Sequence, residues 1–102
     1  MNIPKRVNIG PFSLPVKFSD EDIVHISADQ ETTVCFGLCE ISVDGGKIIL
    51  RSGMSKDRTG ETFMHELVEA IVANYGLELD HRVISTLSMA LYQALRDGKC
   101  LA

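Results

Sequence analysis

The chain lacks tryptophan altogether, has three prolines, and carries three cysteines, Cys35, Cys39 and Cys100. An odd number of cysteines describes no disulfide framework, so reduced thiols in a cytoplasm are the expectation. No apolar run approaches the roughly 18 to 20 residues that a membrane span needs. The opening MNIPKRVNIG is basic, yet no apolar stretch with a small-residue cleavage site follows it, so neither a membrane association nor a signal peptide is expected. Basic blocks are absent too. Lys and Arg number 10 against 14 Asp and Glu, for a net charge of −4, which removes the electrostatic footprint expected of a nucleic-acid binder.

What is present suits one folded unit. The 102 residues allow one core and not two, so residues 1–102 read as a single domain. Its hydrophobic fraction of 45% and charged fraction of 24% are those of an ordinary globular chain. The pattern changes near Gly53. Residues 1–53 hold short β-like runs punctuated by Gly and Pro, with modest candidate strands at 6–9, 15–18 and 23–27. A stronger run covers 32–43, where alternation slips around Cys39 and Glu40; a slip beside Gly37 suggests a bulge. Asp44-Gly45-Gly46 then offers the positive φ angles of a tight hairpin, with residues 47–52 (KIILRS) as the partner strand.

Residues 54–102 read as helical. Phe63, Met64, Leu67, Val68, Ile71, Val72 and Tyr75 recur at i, i+3/i+4 across about residues 58–75, and Gly76 suits the position after the helix end. Asp80 is a good N-cap for a second helix, with apolar positions Val83, Ile84, Leu87, Leu91, Ala94 and Leu95 and a stop near Asp97-Gly98. The expected fold class is α+β, a small N-terminal antiparallel sheet followed by two helices.

The distinctive segment is TFMHELVEA, residues 62–70. His65 and Glu69 lie one turn apart on one helix face, with Cβ atoms about 6 Å apart. Glu66 lies about 100° round from His65. On a helical wheel all three fall opposite the centre of the apolar stripe. A zincin helix places two metal ligands at i and i+4, and a glutamate at i+1 takes a proton from water. Here the i+4 ligand is a carboxylate, which zinc accepts at about 2.0 to 2.2 Å. Spacing alone leaves a solvated helix face as the commoner outcome. Two features weigh against it. The order of strand 47–52, polar connection and helix places a strand edge beside the site, where an extended peptide could pair. His81 also opens the next helix, and residues 76–80, reaching at most about 3.3 to 3.6 Å each, are long enough to bring it back as a third ligand.

The stretch ETFMHELVEAIVANYGLELDHRVISTLSMALYQAL, together with KIILRS and GLCEI, resembles small phage- and prophage-encoded proteins with a zincin-type helix. The resemblance covers about residues 35–95. It implies a minimal zincin-like fold, zinc as cofactor, a metal-dependent peptidase-type site and a peptide or protein substrate. By position it puts His65 and Glu69 at ligand places and Glu66 at the general-base place. The chain departs from the histidine of many such helices at Glu69. His81 has no certain counterpart; its place in the set rests on reach. A two-His, one-carboxylate set leaves a coordination position open, as catalysis requires, and also describes iron(II) sites. The alternative is a non-catalytic zincin-like binding or regulatory protein that has lost the metal.

Other residues are weaker candidates. His81, Ser85, Ser88 and Tyr92 align along the second helix, flanking its apolar stripe. Tyr92 could donate to an oxyanion, or be half-buried core. His25 reads as structural or exposed. Cys35 and Cys39 would lie about 13 Å apart on a straight strand and read as buried thiols. Arg51 and Arg58 could meet a substrate carboxylate or form surface ion pairs. Leftover apolar surface at Met64, Val68 and Met89 offers a third possibility, dimerisation.

Overall fold

The computed structural model describes residues 1–20, 36–43 and 45–100. Four strands, β1 (Arg6–Ile9), β2 (Phe12–Phe18), β3 (Gly37–Glu40) and β4 (Lys47–Leu50), precede two helices, α1 (Lys56–Asn74) and α2 (His81–Asp97). The architecture is the α+β arrangement expected, a sheet at the N-terminal side followed by a helix pair. The candidate strand at 23–27, His25 and Cys35 lie outside the described residues.

The sheet order is β1-β2-β4-β3. β1 and β2 form an antiparallel hairpin in which Ile9 pairs with Phe12 and Arg6 with Pro15. β2 therefore begins three residues before the run expected at 15–18. β3 and β4 are antiparallel, with Leu38 opposite Ile49 and Cys39 opposite Ile48. Their register is continuous from Gly37 to Glu40, so the slip read as a bulge is not one among the described residues; Ile41 and Val43 simply leave the strand and lie exposed. Gly45 and Gly46, at φ 101° and 104°, supply the left-handed backbone that the Asp-Gly-Gly signal called for.

One pairing changes the picture. β2 runs parallel to β4, Val16 opposite Ile48 and Phe18 opposite Leu50, so the sheet is mixed. β4 is consequently interior. Ile48, Ile49 and Leu50 are all fully buried, as in a strand covered on both faces. The expectation that residues 47–52 present an edge is corrected: the last strand of the described order is β3.

Ile9, Leu14, Ile48 and Leu50 meet Phe63 and Ala70 of α1 in the core. Ser55 caps α1, its Oγ accepting from Arg58 N at 3.1 Å. The helix ends in a Schellman arrangement: Leu77 N donates to Val72 O at 2.9 Å and Gly76 N to Ala73 O at 3.3 Å. Asp80 caps α2 as expected, accepting from Arg82 N at 2.9 Å. α2 makes its principal packing contact with α1. Its buried face is Ile84, Ser88 and Tyr92, while Val83, Leu87 and Leu91 are exposed. Two of the residues expected to flank the apolar stripe, Ser88 and Tyr92, thus pack together with Ile84 of the stripe, and most of the stripe faces outward. No helix of the described residues is long and apolar enough to cross a membrane.

Candidate metal centre

α1 is the element that organises the site. Its sheet-facing side carries Phe63, Glu66 and Ala70, and its next flank carries His65 and Glu69 one turn apart. The Schellman turn reverses the chain after α1, and the Asp80 cap starts α2 so that its first residue, His81, returns over Glu69. His81 Nδ1 lies 3.2 Å from Glu69 Oε1, and His65 Nε2 lies 3.5 Å from the same oxygen. The two imidazoles meet edge to face at a centroid distance of 5.0 Å. One ligand atom from each of His65, Glu69 and His81 falls within 4.8 Å of the others.

This donor set is one that could hold a metal ion. Tetrahedral ligands at about 2.0 to 2.1 Å from zinc sit about 3.3 Å from one another. Two of the separations, 3.2 and 3.5 Å, match that spacing, and the third lies within 4.8 Å. The ligand chemistry, two imidazoles and one carboxylate, is shared by zinc and iron(II) sites.

Glu66 departs from the solvated helix face that spacing alone suggested. Its residue exposure is 7%, and it lies between α1 and β3. A Cβ on Gly37 would stand 3.3 Å from Glu66 Cγ and 2.7 Å from Thr62 Cγ2, so the absent side chain lets β3 close over the carboxyl. Burial, with the charge of Glu69 adding to it, pushes the Glu66 carboxyl up to about 7. Its Oε1 is 3.9 Å from His65 Nε2. His65 is held below its ordinary value, chiefly by burial, with Glu69 pulling the other way. Imidazole and carboxyl are both kept nearer their neutral forms than in water.

The remaining candidates do not join the ligand set. Tyr92 is 1% exposed, and its hydroxyl donates to Asp57 Oδ1 at 2.9 Å. It stands three turns along α2 from His81, about 16 Å along the axis at 1.5 Å per residue, so of the two readings the core one holds, with the ring more deeply buried than a helix edge suggests. Ser88 is buried and donates to Ile84 O at 2.6 Å. Arg58 stacks its guanidinium 4.5 Å from the Phe36 ring centroid. Cys39 is half-buried on β3, and burial together with Glu66, Glu69 and Glu40 raises its thiol to about 12, which keeps it neutral. Met64 and Val68 are buried in the fold, whereas Met89 is exposed. A shallow groove between β1 and α1, lined by Val7, Ile9, Leu67, Ile71 and Tyr75 among others, holds no carboxylate, imidazole or thiol.

Sequence reasoning missed β3 as the strand beside the site. GLCEI was visible, but nothing local in it shows that β2 pairs with β4 and leaves β3 at the end of the order. No family model matches the chain, and no curated protein or solved structure matches it.

Proposed function

We propose that the chain is a metal-dependent hydrolase of the peptidase type, in which His65, Glu69 and His81 hold a zinc ion and Glu66 is the general base. The observation that carries this reading is the convergence of donors from two helices, all within 4.8 Å, beside a buried carboxyl raised to about 7. Bound there, zinc would supply Lewis acidity and a nucleophilic water at neutral pH.

The protein's own groups account for the rest. A base is most effective when its pKa lies near the working pH, and the buried position of Glu66 tunes a carboxylate that would otherwise be too weak to take a proton from water. Glu69 holds both imidazoles through one oxygen, so the ligands are oriented before metal enters. β3 is the strand nearest to Glu66, and an extended peptide lying along it would bring a carbonyl to the site. The free thiols Cys39 and Cys100 support a cytoplasmic setting, and the likeness to phage and prophage zincin-type proteins belongs to the same proposal.

Metal analysis of protein purified without added metal, followed by zinc titration, tests the reading. Near-stoichiometric zinc with peptide-bond cleavage, lost in Glu66→Gln while metal is retained, is the expected result. No zinc bound even after zinc is supplied would sink it. Zinc without turnover on any peptide would leave the ligand set standing and remove the hydrolase.

A further inference from the structure

Besides its histidine, α1 carries two basic side chains, Lys56 and Arg58, and only Arg58 lies on the face of the metal cluster. At 100° per residue Arg58 falls within about 20° of His65 and Lys56 about 180° away. Glu69 lies about 40° from His65 by the same count, so Arg58, His65 and Glu69 form one stripe along the flank of α1. The guanidinium of Arg58 rests 4.5 Å from the ring centroid of Phe36, just ahead of β3. It is exposed and makes no ion pair among the described residues. Its acidic neighbours in sequence do not claim it. Asp57 is engaged by Tyr92 and Arg96, and Glu61 forms no ion pair among the described residues either. A guanidinium held on an aromatic face keeps its planar fork of N–H donors for a carboxylate, and it is placed before one arrives.

We propose that Arg58 is the subsite for a carboxylate of the substrate, one that lies about three residues along the peptide from the bond cleaved. The distance comes from the helix. Arg58 precedes His65 by about 10.5 Å along the axis, which three extended residues span at about 3.4 Å each. β3 follows the same line: Phe36 meets Arg58, Gly37 lies against Thr62 and Glu66, and Cys39 is near enough to Glu66 and Glu69 to feel both charges. The charges farther along are negative. Glu66 and Glu69 stand beside the cluster, and Glu40 ends β3 with its carboxylate held by Lys47 Nζ at 3.4 Å. A substrate carboxylate is therefore drawn to the Arg58 end and repelled from the other. Its source is either the C-terminus of a peptide or an Asp or Glu side chain, since the fork accepts both. The assignment rests on the peptidase reading, because the metal cluster fixes where the cleaved bond sits.

Two sets of short labelled peptides, given to the zinc-loaded full chain, test this. In the first set, peptides without Asp or Glu end in a free carboxylate or in an amide. In the second, both ends are blocked and one residue is Glu or Gln, moved stepwise along the peptide. Wild type is expected to cleave the acid at least about fivefold better than its amide in kcat/KM, with the cut, mapped by mass spectrometry, about three residues from the carboxylate. The zinc-loaded Glu66→Gln variant, read by fluorescence anisotropy, is expected to bind the acid more tightly by a similar factor. Both preferences should vanish in Arg58→Gln and be kept in part by Arg58→Lys. A preference in the first set alone assigns the chain end, and in the second alone a side chain. Equal constants for acid and amide in both sets, or a preference that survives Arg58→Gln because the carboxylate sits on the metal, would overturn the proposal. Tighter binding of the acid with no cleavage removes the hydrolase and leaves the subsite standing; cleavage without a preference does the reverse. A chain that binds no peptide of either set overturns both.

Discussion

One carboxylate oxygen, Glu69 Oε1, stands between two imidazoles, 3.5 Å from His65 Nε2 and 3.2 Å from His81 Nδ1. Glu69 and His65 share a helix face, but His81 arrives from the next helix, so the arrangement is tertiary and depends on how α2 docks. If all three are ligands, removing any one should cost more than the 10–100-fold that loss of an outer hydrogen-bond partner costs a metal site. His65→Ala, Glu69→Ala and His81→Ala are each expected to lower zinc affinity by at least about 100-fold, read by competition with a chromophoric chelator. An unchanged affinity in His81→Ala with losses in the other two would mean that the third ligand is wrong.

Glu66 and His65 give the metal-free protein a stability that depends on pH in opposite senses. The folded-state value of Glu66 is raised, so the folded chain holds its proton more tightly than the unfolded chain. That contribution is complete below the ordinary 4.5 and is lost as pH rises toward about 7. His65 is depressed below 6.5, so its contribution is present above that value and is lost as pH falls through the folded pKa. Glu66→Gln removes the first effect. With chelator present, the Gln variant should be as stable as wild type near pH 4.5 and more stable at pH 8, by up to about 3 kcal/mol at 1.36 kcal/mol per unit. Thermal unfolding at the two pH values measures it. A Gln variant no more stable than wild type at pH 8 would show that Glu66 is not buried as drawn.

Gly37 lets β3 lie against the carboxyl. An added Cβ would meet Thr62 Cγ2 at 2.7 Å, Ile49 O at 3.1 Å and Glu66 Cγ at 3.3 Å, and the Ile49 carbonyl is backbone that cannot swing aside. Gly37→Val should therefore push β3 away from α1 and open Glu66 to water, at a cost typical of overpacking, about 1–3 kcal/mol. Water reaching Glu66 would return its carboxyl toward 4.5. The pH-dependent stability loss just described should then shrink in Gly37→Val, which a simple packing defect far from Glu66 would not cause.

The helices were legible because their signals are local. Asp80 and Gly76 marked the cap and the terminating turn, and the 3.6-residue recurrence located α1 to within two residues at its start. The hairpin of β3 and β4 was legible for the same reason, through Gly45 and Gly46. What could not be read was decided by contacts distant in sequence. The parallel pairing of Val16 with Ile48 makes β4 interior; the unbroken Ile48-Ile49-Leu50 run hints at a strand buried on both faces, but nothing in KIILRS names its partner. The burial of Glu66 depends on β3 passing over it, again a distant contact. Which face of α2 packs was not legible, because hydrophobic patterning points to Val83 and Leu87 as much as to Ile84, whereas in the fold Tyr92 fits against Gly60. Reach showed that His81 could return to Glu69; only the fold brings the two together.

That last fit supplies the mechanical link between α2 and the site. A Cβ on Gly60 would collide with the Tyr92 ring, standing 2.7 Å from Cζ, and Tyr92 is 1% exposed with its hydroxyl tied to Asp57. Gly60→Ala gains about 1 kcal/mol of helix propensity and incurs an overpacking cost of about 1–3 kcal/mol. The sign is therefore set by how far the ring can yield, and a buried, hydrogen-bonded ring yields little. A net loss of about 1 kcal/mol is expected, measured by denaturant unfolding. Because α2 makes its principal packing contact with α1 and carries His81, the same substitution should weaken zinc binding several-fold. It should also alter the visible spectrum of the cobalt-substituted protein, which reports ligand geometry and not global stability. Tyr92→Phe keeps the ring and removes only the bond to Asp57, so its cobalt spectrum should match wild type. If Gly60→Ala leaves affinity and spectrum unchanged while lowering stability, the position of His81 is set elsewhere, at Ile84 and the Asp80 cap.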